Sequence, residues 1–171
     1  PIVMGWQWGG GWLASIGFSD FAGSTLVHST GGAAALAGAL ILGPRLGRFT
    51  KSGTPAPIKP FAASSIPLVT LGVFVLWLGW FGFNGGSQLA MGTADDAIAV
   101  STIFMNTFLA GAGGVIGAAI ITRLHFGKTD VVQMLNGCIG GLVAVTAEPL
   151  APSPLEAILI GAVGGLIVVY G

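Results

Sequence analysis

The sequence predicts an all-α fold, a polytopic bundle of transmembrane helices, on three observations. Of 171 residues, 53% are hydrophobic and 7% charged, and mean hydropathy is +0.89, too little polarity to dissolve a domain of this size. Glycine supplies 30 residues with no period of three, and small residues are what membrane helices use to approach one another closely. The third observation is charge placement: all six Lys and Arg residues fall in two short segments, with long uncharged runs between.

Apolar stretches, uncharged but for Glu156 at the head of the last, occupy 21–42, 64–84, 97–122, 131–147 and 155–171. Each fits or slightly exceeds the roughly 17–25 residues that cross a bilayer, the last two at the short end. Pro44, the cluster Pro55, Pro57 and Pro60, and the cluster Pro149, Pro152 and Pro154 fall between them, where a fixed φ and a missing N–H end helices. Five spans follow. Arg45, Arg48, Lys51 and Lys59 lie in segment 44–61, and Arg123 and Lys128 in segment 123–130, so both segments are expected to be cytoplasmic. The opposite loops carry Asp20, Asp95, Asp96, Glu148 and Glu156 without any Lys or Arg, and only Asp130 breaks the asymmetry. Small residues four apart recur as Ala34 with Gly38, Gly113 with Gly117, Gly137 with Gly141, and Gly161 with Gly165, each pair marking a helix face for close packing.

Pro1 opens into Ile-Val-Met-Gly-Trp with no basic leader or initiator methionine, and 157–171 stays apolar to the final residue; both ends read as those of an internal segment. Zero net charge with no basic patch argues against nucleic acid as a partner. Cys138, the sole cysteine, lies in an apolar run as a small hydrophobe. No zinc-ligand spacing, phosphate loop or HExxH pattern is present, so the sequence suggests neither an enzyme nor a metal or cofactor.

Four sets of residues could carry chemistry. His28 lies seven residues after Phe21, about 10 Å into the first span at 1.5 Å per residue. An imidazole at that depth marks either a functional site or a neutral ring bonded to a neighbouring carbonyl. Asp20 precedes the span, where it caps the free N–H groups of the first turn or, as the sharper alternative, binds a cation directly; capping is the reading favoured by position. Trp6, Trp8 and Trp12, and then Trp77, Trp80, Phe81 and Phe83, sit among glycines as interfacial belts or as a cage for a small cation through cation–π attraction; position alone favours the belt. His125 falls on the basic side and reads as a solvated loop residue.

Trp8-Gly-Gly-Gly, then Asp20-Phe-Ala-Gly-Ser-Thr-Leu-Val-His28, then Gly79-Trp-Phe-Gly-Phe-Asn-Gly-Gly-Ser87 resemble the ammonium transporter family in content, order and spacing. The resemblance extends through Asn106-Thr107 and Gly140-Gly-Leu-Val-Ala-Val-Thr146, less diagnostic stretches, and so covers 1–171. It implies an eleven-helix fold assembled as a homotrimer in the plasma (inner) membrane, with this chain matching the end of the fourth helix through the ninth. Ammonium or ammonia is the implied substrate, nitrogen uptake the implied role, and a cytoplasmic regulatory protein a further partner. Carried over, Trp8 and Ser87 belong to an outer ammonium-recruiting site with Ala22 nearby. Phe83 is then a gate ring beneath it, His28 and Trp80 line the pore, and Asp20 organises the outer site. The second pore histidine and the other gate phenylalanine are implied to lie outside residues 1–171. The same fold implies, as an alternative, an ammonium sensor coupled to a signalling partner.

Overall fold

The computed structural model describes residues 1–48 and 61–171. Lys51, Lys59 and the prolines at 55, 57 and 60 therefore lie outside the described residues, and of the basic segment 44–61 only the two ends are seen. Every element among the described residues is helical. Two short helices, α1 (Ile2–Gln7) and α2 (Trp12–Ser15), lead into a π-helical turn, Ser24–Ser29, that runs on as α3 (Thr30–Leu42). Four longer helices follow: α4 (Ile66–Gly86), α5 (Ala94–Phe126), α6 (Val131–Val145) and α7 (Pro154–Tyr170).

The starts of these helices are written in short polar residues. Ser65 accepts from the Leu68 amide at the head of α4, and Asp130 accepts from Gln133 at the head of α6. Thr93 with Asp96, and Ser153 with Glu156, form reciprocal capping boxes on α5 and α7. The Thr93 hydroxyl beside Asp96 holds that carboxyl below its usual range. Gly127, at φ +72°, ends α5 in the left-handed conformation. Consequently α5 is longer at both ends than the uncharged stretch 97–122: Asp95 and Asp96 are its first turn, and Arg123 and His125 its last. Charge marks where apolar surface stops, while the caps mark where the helix stops.

The π turn with α3 (19 residues), α4 (21) and α5 (33) are long and apolar enough to cross a membrane; α6 and α7 are apolar but shorter, at 15 and 17 residues. At roughly 50 Å, α5 outruns a hydrocarbon layer of about 30 Å.

The core is the contact of α5 with α6 and α7, and it is made by backbone. A β-carbon on Gly161 would strike the Ala110 carbonyl, one on Gly165 the Gly114 carbonyl, and one on Gly114 the Gly137 carbonyl. The stripes at Gly113/Gly117, Gly137/Gly141 and Gly161/Gly165 all face into these seams. The Ala34/Gly38 stripe does not: α3 buries none of its residues, and no neighbouring element comes within 4 Å of where a β-carbon on Gly38 would sit. Helix α4 lies against α6 through a buried cluster of Val73, Trp80, Cys138 and Leu142, with Val115 of α5 packed against it.

Candidate functional site

Asp20 is 2% exposed, and its carboxylate is wholly engaged by backbone. Oδ1 accepts from the amides of Gly23 and Ser24, each at 2.9 Å, and Oδ2 from those of Thr25 at 2.8 Å and Leu26 at 2.9 Å. A carboxylate offers about four lone-pair sites, so these four donors leave it little capacity for anything else. Gathering successive amides around one group requires the chain to double back, and Gly23, at φ +108°, makes that bend. The helix that follows opens as a π turn, with the amides of Val27 and His28 both donating to the Gly23 carbonyl, at 3.0 and 3.1 Å. The loop is also tied to the end of α6: the Phe21 amide donates to Ala147 O at 2.7 Å and the Ala22 amide to Thr146 O at 3.1 Å, which leaves Ala22 buried.

His28 projects from the π turn onto α4. Its imidazole lies nearly parallel to the Trp80 indole, with centroids 5.1 Å apart and 12° between planes, and is tilted against Phe83 at 5.4 Å. Nδ1 sits 3.1 Å from the Gly23 carbonyl. A carbonyl can only accept, so Nδ1 carries the proton and the lone pair of a neutral ring is on Nε2. Residues 80 and 83 share a helix face, which is why both rings reach His28. Trp77 and Phe81 face α5 instead, Trp77 against Phe108 at 5.4 Å and Phe81 against Phe104 at 5.5 Å. The aromatic run of α4 thus divides into a pair at the histidine and a pair that packs.

Trp8 donates its indole N–H to the Asp20 carbonyl at 2.7 Å while its ring remains 45% exposed, joining the first Gly-rich stretch to the carboxylate loop. Trp6 and Trp12 pair with each other at 5.8 Å and stay on the surface. Ser87 closes α4, one turn beyond Phe83, and donates to the Phe83 carbonyl at 2.9 Å. His125 lies in the last turn of α5 rather than in a loop; it is exposed and meets Phe126 and Tyr170 edge-on, remote from His28 in sequence and on a different element. The structure therefore brings together Asp20, Ala22, His28, Trp80 and Phe83, with Trp8 joined through Asp20 and Ser87 through Phe83.

Three buried polar residues complete this neighbourhood; they fall within motifs quoted from the sequence, where no role was attached to them. Trp80 Nε1 donates to the Thr146 hydroxyl at 2.8 Å, Thr146 faces Asn84 Oδ1 at 3.1 Å, and Asn84 Nδ2 donates to the Thr107 hydroxyl at 3.0 Å. Polar side chains bonded across apolar helices were the available signal, but nothing in the sequence says which of them meet.

The model of the Ammonium Transporter Family matches residues 1–171. The chain is 42% identical over 181 residues to Ammonium transporter Amt2 of Archaeoglobus fulgidus, covering 100% of this chain and 37% of that protein. It is 40% identical over 166 residues to the Ammonium transporter of Aquifex aeolicus, covering 97% and 36%. Among solved structures, it superposes on one titled Sensor Amt Protein with a TM-score of 0.84 and 35% identity, over 94% of this chain and 38% of the other. Mep2 of Candida albicans gives 0.80 and 34%, over 96% and 35%. The chain thus spans under two fifths of the length of the relatives it matches. With the family model matched from first residue to last, and the motifs around Trp8, Asp20–His28 and Gly79–Ser87 gathered in one place, the chain belongs to the ammonium transporter family.

Proposed function

We propose that this chain supplies the outer recruiting site and the first pore histidine of a protein that moves ammonium or ammonia across a membrane. The observation that carries the reading is the setting of His28, an imidazole in an apolar helix with Nδ1–H anchored on Gly23 and its face against Trp80. Ammonium is drawn to the exposed face of Trp8, with Ser87, Ala22 and Phe83 completing the site, by cation–π attraction of about 0.5–2 kcal/mol. A bare cation is too costly in an apolar conduit, so it gives up a proton to the water at the outer site before passing Phe83. Nε2 of His28 then accepts a hydrogen bond from the passing nitrogen. Asp20 contributes by holding the π turn, and hence His28, in place.

In this reading the five apolar helices all cross the membrane, a homotrimer in the plasma membrane is the working unit, and segments 44–61 and 123–130 face the cytoplasm, where a regulatory protein would meet them. Residues 1–171 then correspond to the end of the fourth helix through the ninth. The superposition on a structure titled Sensor Amt Protein supports a second reading, a sensor on the same fold.

The test is the full-length protein reconstituted in liposomes, with ammonium-evoked current and internal pH recorded together. His28→Ala is expected to assemble but to change the rate, or the ratio of current to pH response, by about tenfold, the scale of one lost polar contact of about 1.4 kcal/mol. Both signals matching the parent would remove His28 from the mechanism, and no ammonium-evoked signal from the parent would favour the sensor. In the same vesicles, a cysteine replacing Lys128 should be labelled only from the cytoplasmic face.

A further inference from the structure

We propose that Thr146 is a positioning residue for the pore: its hydroxyl sets the plane of the Trp80 indole against the His28 imidazole. This rests on the reading of His28 and Trp80 given above.

Thr146 caps the end of α6 and is fully buried. Its hydroxyl has three neighbours, and their chemistry fixes its orientation. Leu142 O at 2.6 Å and Asn84 Oδ1 at 3.1 Å can only accept, so the one hydroxyl proton is directed to their side, chiefly to the nearer Leu142 O. An oxygen lone pair is thereby aimed at Trp80 Nε1, an indole N–H that can only donate, 2.8 Å away. Asn84 is held in turn, because its Nδ2 donates to Thr107 at 3.0 Å. The Trp80 ring is thus fixed at two points, its own Cβ on α4 and its N–H on α6. With χ1 and χ2 the only freedoms left to the ring, the anchor on Nε1 restrains both, and the resulting orientation lies 12° from the plane of His28.

The backbone of the same residue serves the other side of the site. The Thr146 carbonyl accepts from the Ala22 amide at 3.1 Å, in the loop that carries Asp20 and leads to His28. One residue therefore references both stacked rings to a single point on α6, through its main chain for the imidazole and its side chain for the indole.

A double-mutant cycle in the full-length protein tests the side-chain role. In liposomes, Thr146→Val should lower the maximal rate of ammonium transport roughly fivefold, the scale of one hydrogen bond. The half-saturating concentration should stay near the parent value, since Trp8 is untouched. Thr146→Ser, which keeps the hydroxyl, should restore the rate. Trp80→Phe, which lacks the N–H, should show a comparable loss, and adding Thr146→Val to it should cost nothing further. The same roughly fivefold drop in the Trp80→Phe background, or failure of Thr146→Ser to restore the rate, would overturn the proposal by assigning the effect to packing. An altered rate in Trp80→Phe with an unaltered one in Thr146→Val would sink this inference alone; an unaltered Trp80→Phe would sink the pore reading beneath it. If Thr146→Val does not assemble, benzothienylalanine at position 80, an indole isostere without the N–H, is the second route, and a parental rate there overturns the proposal.

Discussion

Where α5 meets α6 and α7, backbone lies on backbone, with Gly114, Gly137 and Gly161 packed too closely for any side chain. Where the π turn meets α4, the contact is ring on ring, His28 against Trp80 and Phe83, with the buried polar groups paired around it. Half of the most apolar stretch of α5 is buried, against 11% for α4 and 6% for the π turn with α3. The difference teaches where each region is vulnerable. A contact between carbonyls cannot yield when an atom is added, so the bundle fails outright. Rings and hydroxyls can reorient, so the site degrades by steps.

The largest expected effect breaks the bundle. Gly161→Leu in the full-length protein drives a side chain into the Ala110 backbone and should cost more than about 4 kcal/mol, seen as loss of the assembled peak in detergent gel filtration. A parental elution and melting profile would show that these seams are not what holds the helices. Asp20→Ala comes next. It strips the acceptors from four amides and should cost about 3–5 kcal/mol, read as faster hydrogen exchange at Gly23 to Leu26 with α5 to α7 still protected. Protection lost everywhere at once would mean that the two regions are not separable. The smallest effect lies on the open side. Gly38→Ala, with no neighbouring element near it, should stabilise α3 by about 0.5–1 kcal/mol through helix propensity alone, a rise of a few degrees in melting temperature. A fall instead would reveal a close neighbour over that face in the assembled protein.

Much of this was legible because charge and glycine are blunt signals. Each apolar run overlaps one of the longer helices, and three of the four small-residue pairs proved to be packing seams. The motif residues His28, Trp80 and Phe83 do meet, and Asp20 holds the turn that carries His28. The extent of α5 was hidden because Asp95, Asp96, Arg123 and His125 read as loop charge, whereas a capping box and a terminal glycine place them inside the helix. Thr146 could not be assigned a partner, since its bonds to Trp80 and Asn84 span 66 and 62 residues and depend on how α6 crosses α4. The division of α4 into Trp80 with Phe83 and Trp77 with Phe81 follows helical spacing, but which pair faced the histidine required the fold.

The π turn at Ser24–Ser29 has a consequence for chain length. A π turn holds one residue more than the α turn it interrupts, and each α-helical residue advances the azimuth by roughly 100°. Removing a single residue between Gly23 and His28 would let the segment relax into uninterrupted α-helix with α3 still well formed, at the expense of the amides that hold Asp20. The imidazole, however, would swing roughly 100° away from Trp80. In this segment a shift of one codon, which leaves the helix formed, separates a chain that folds from a chain whose histidine points at the wrong neighbour.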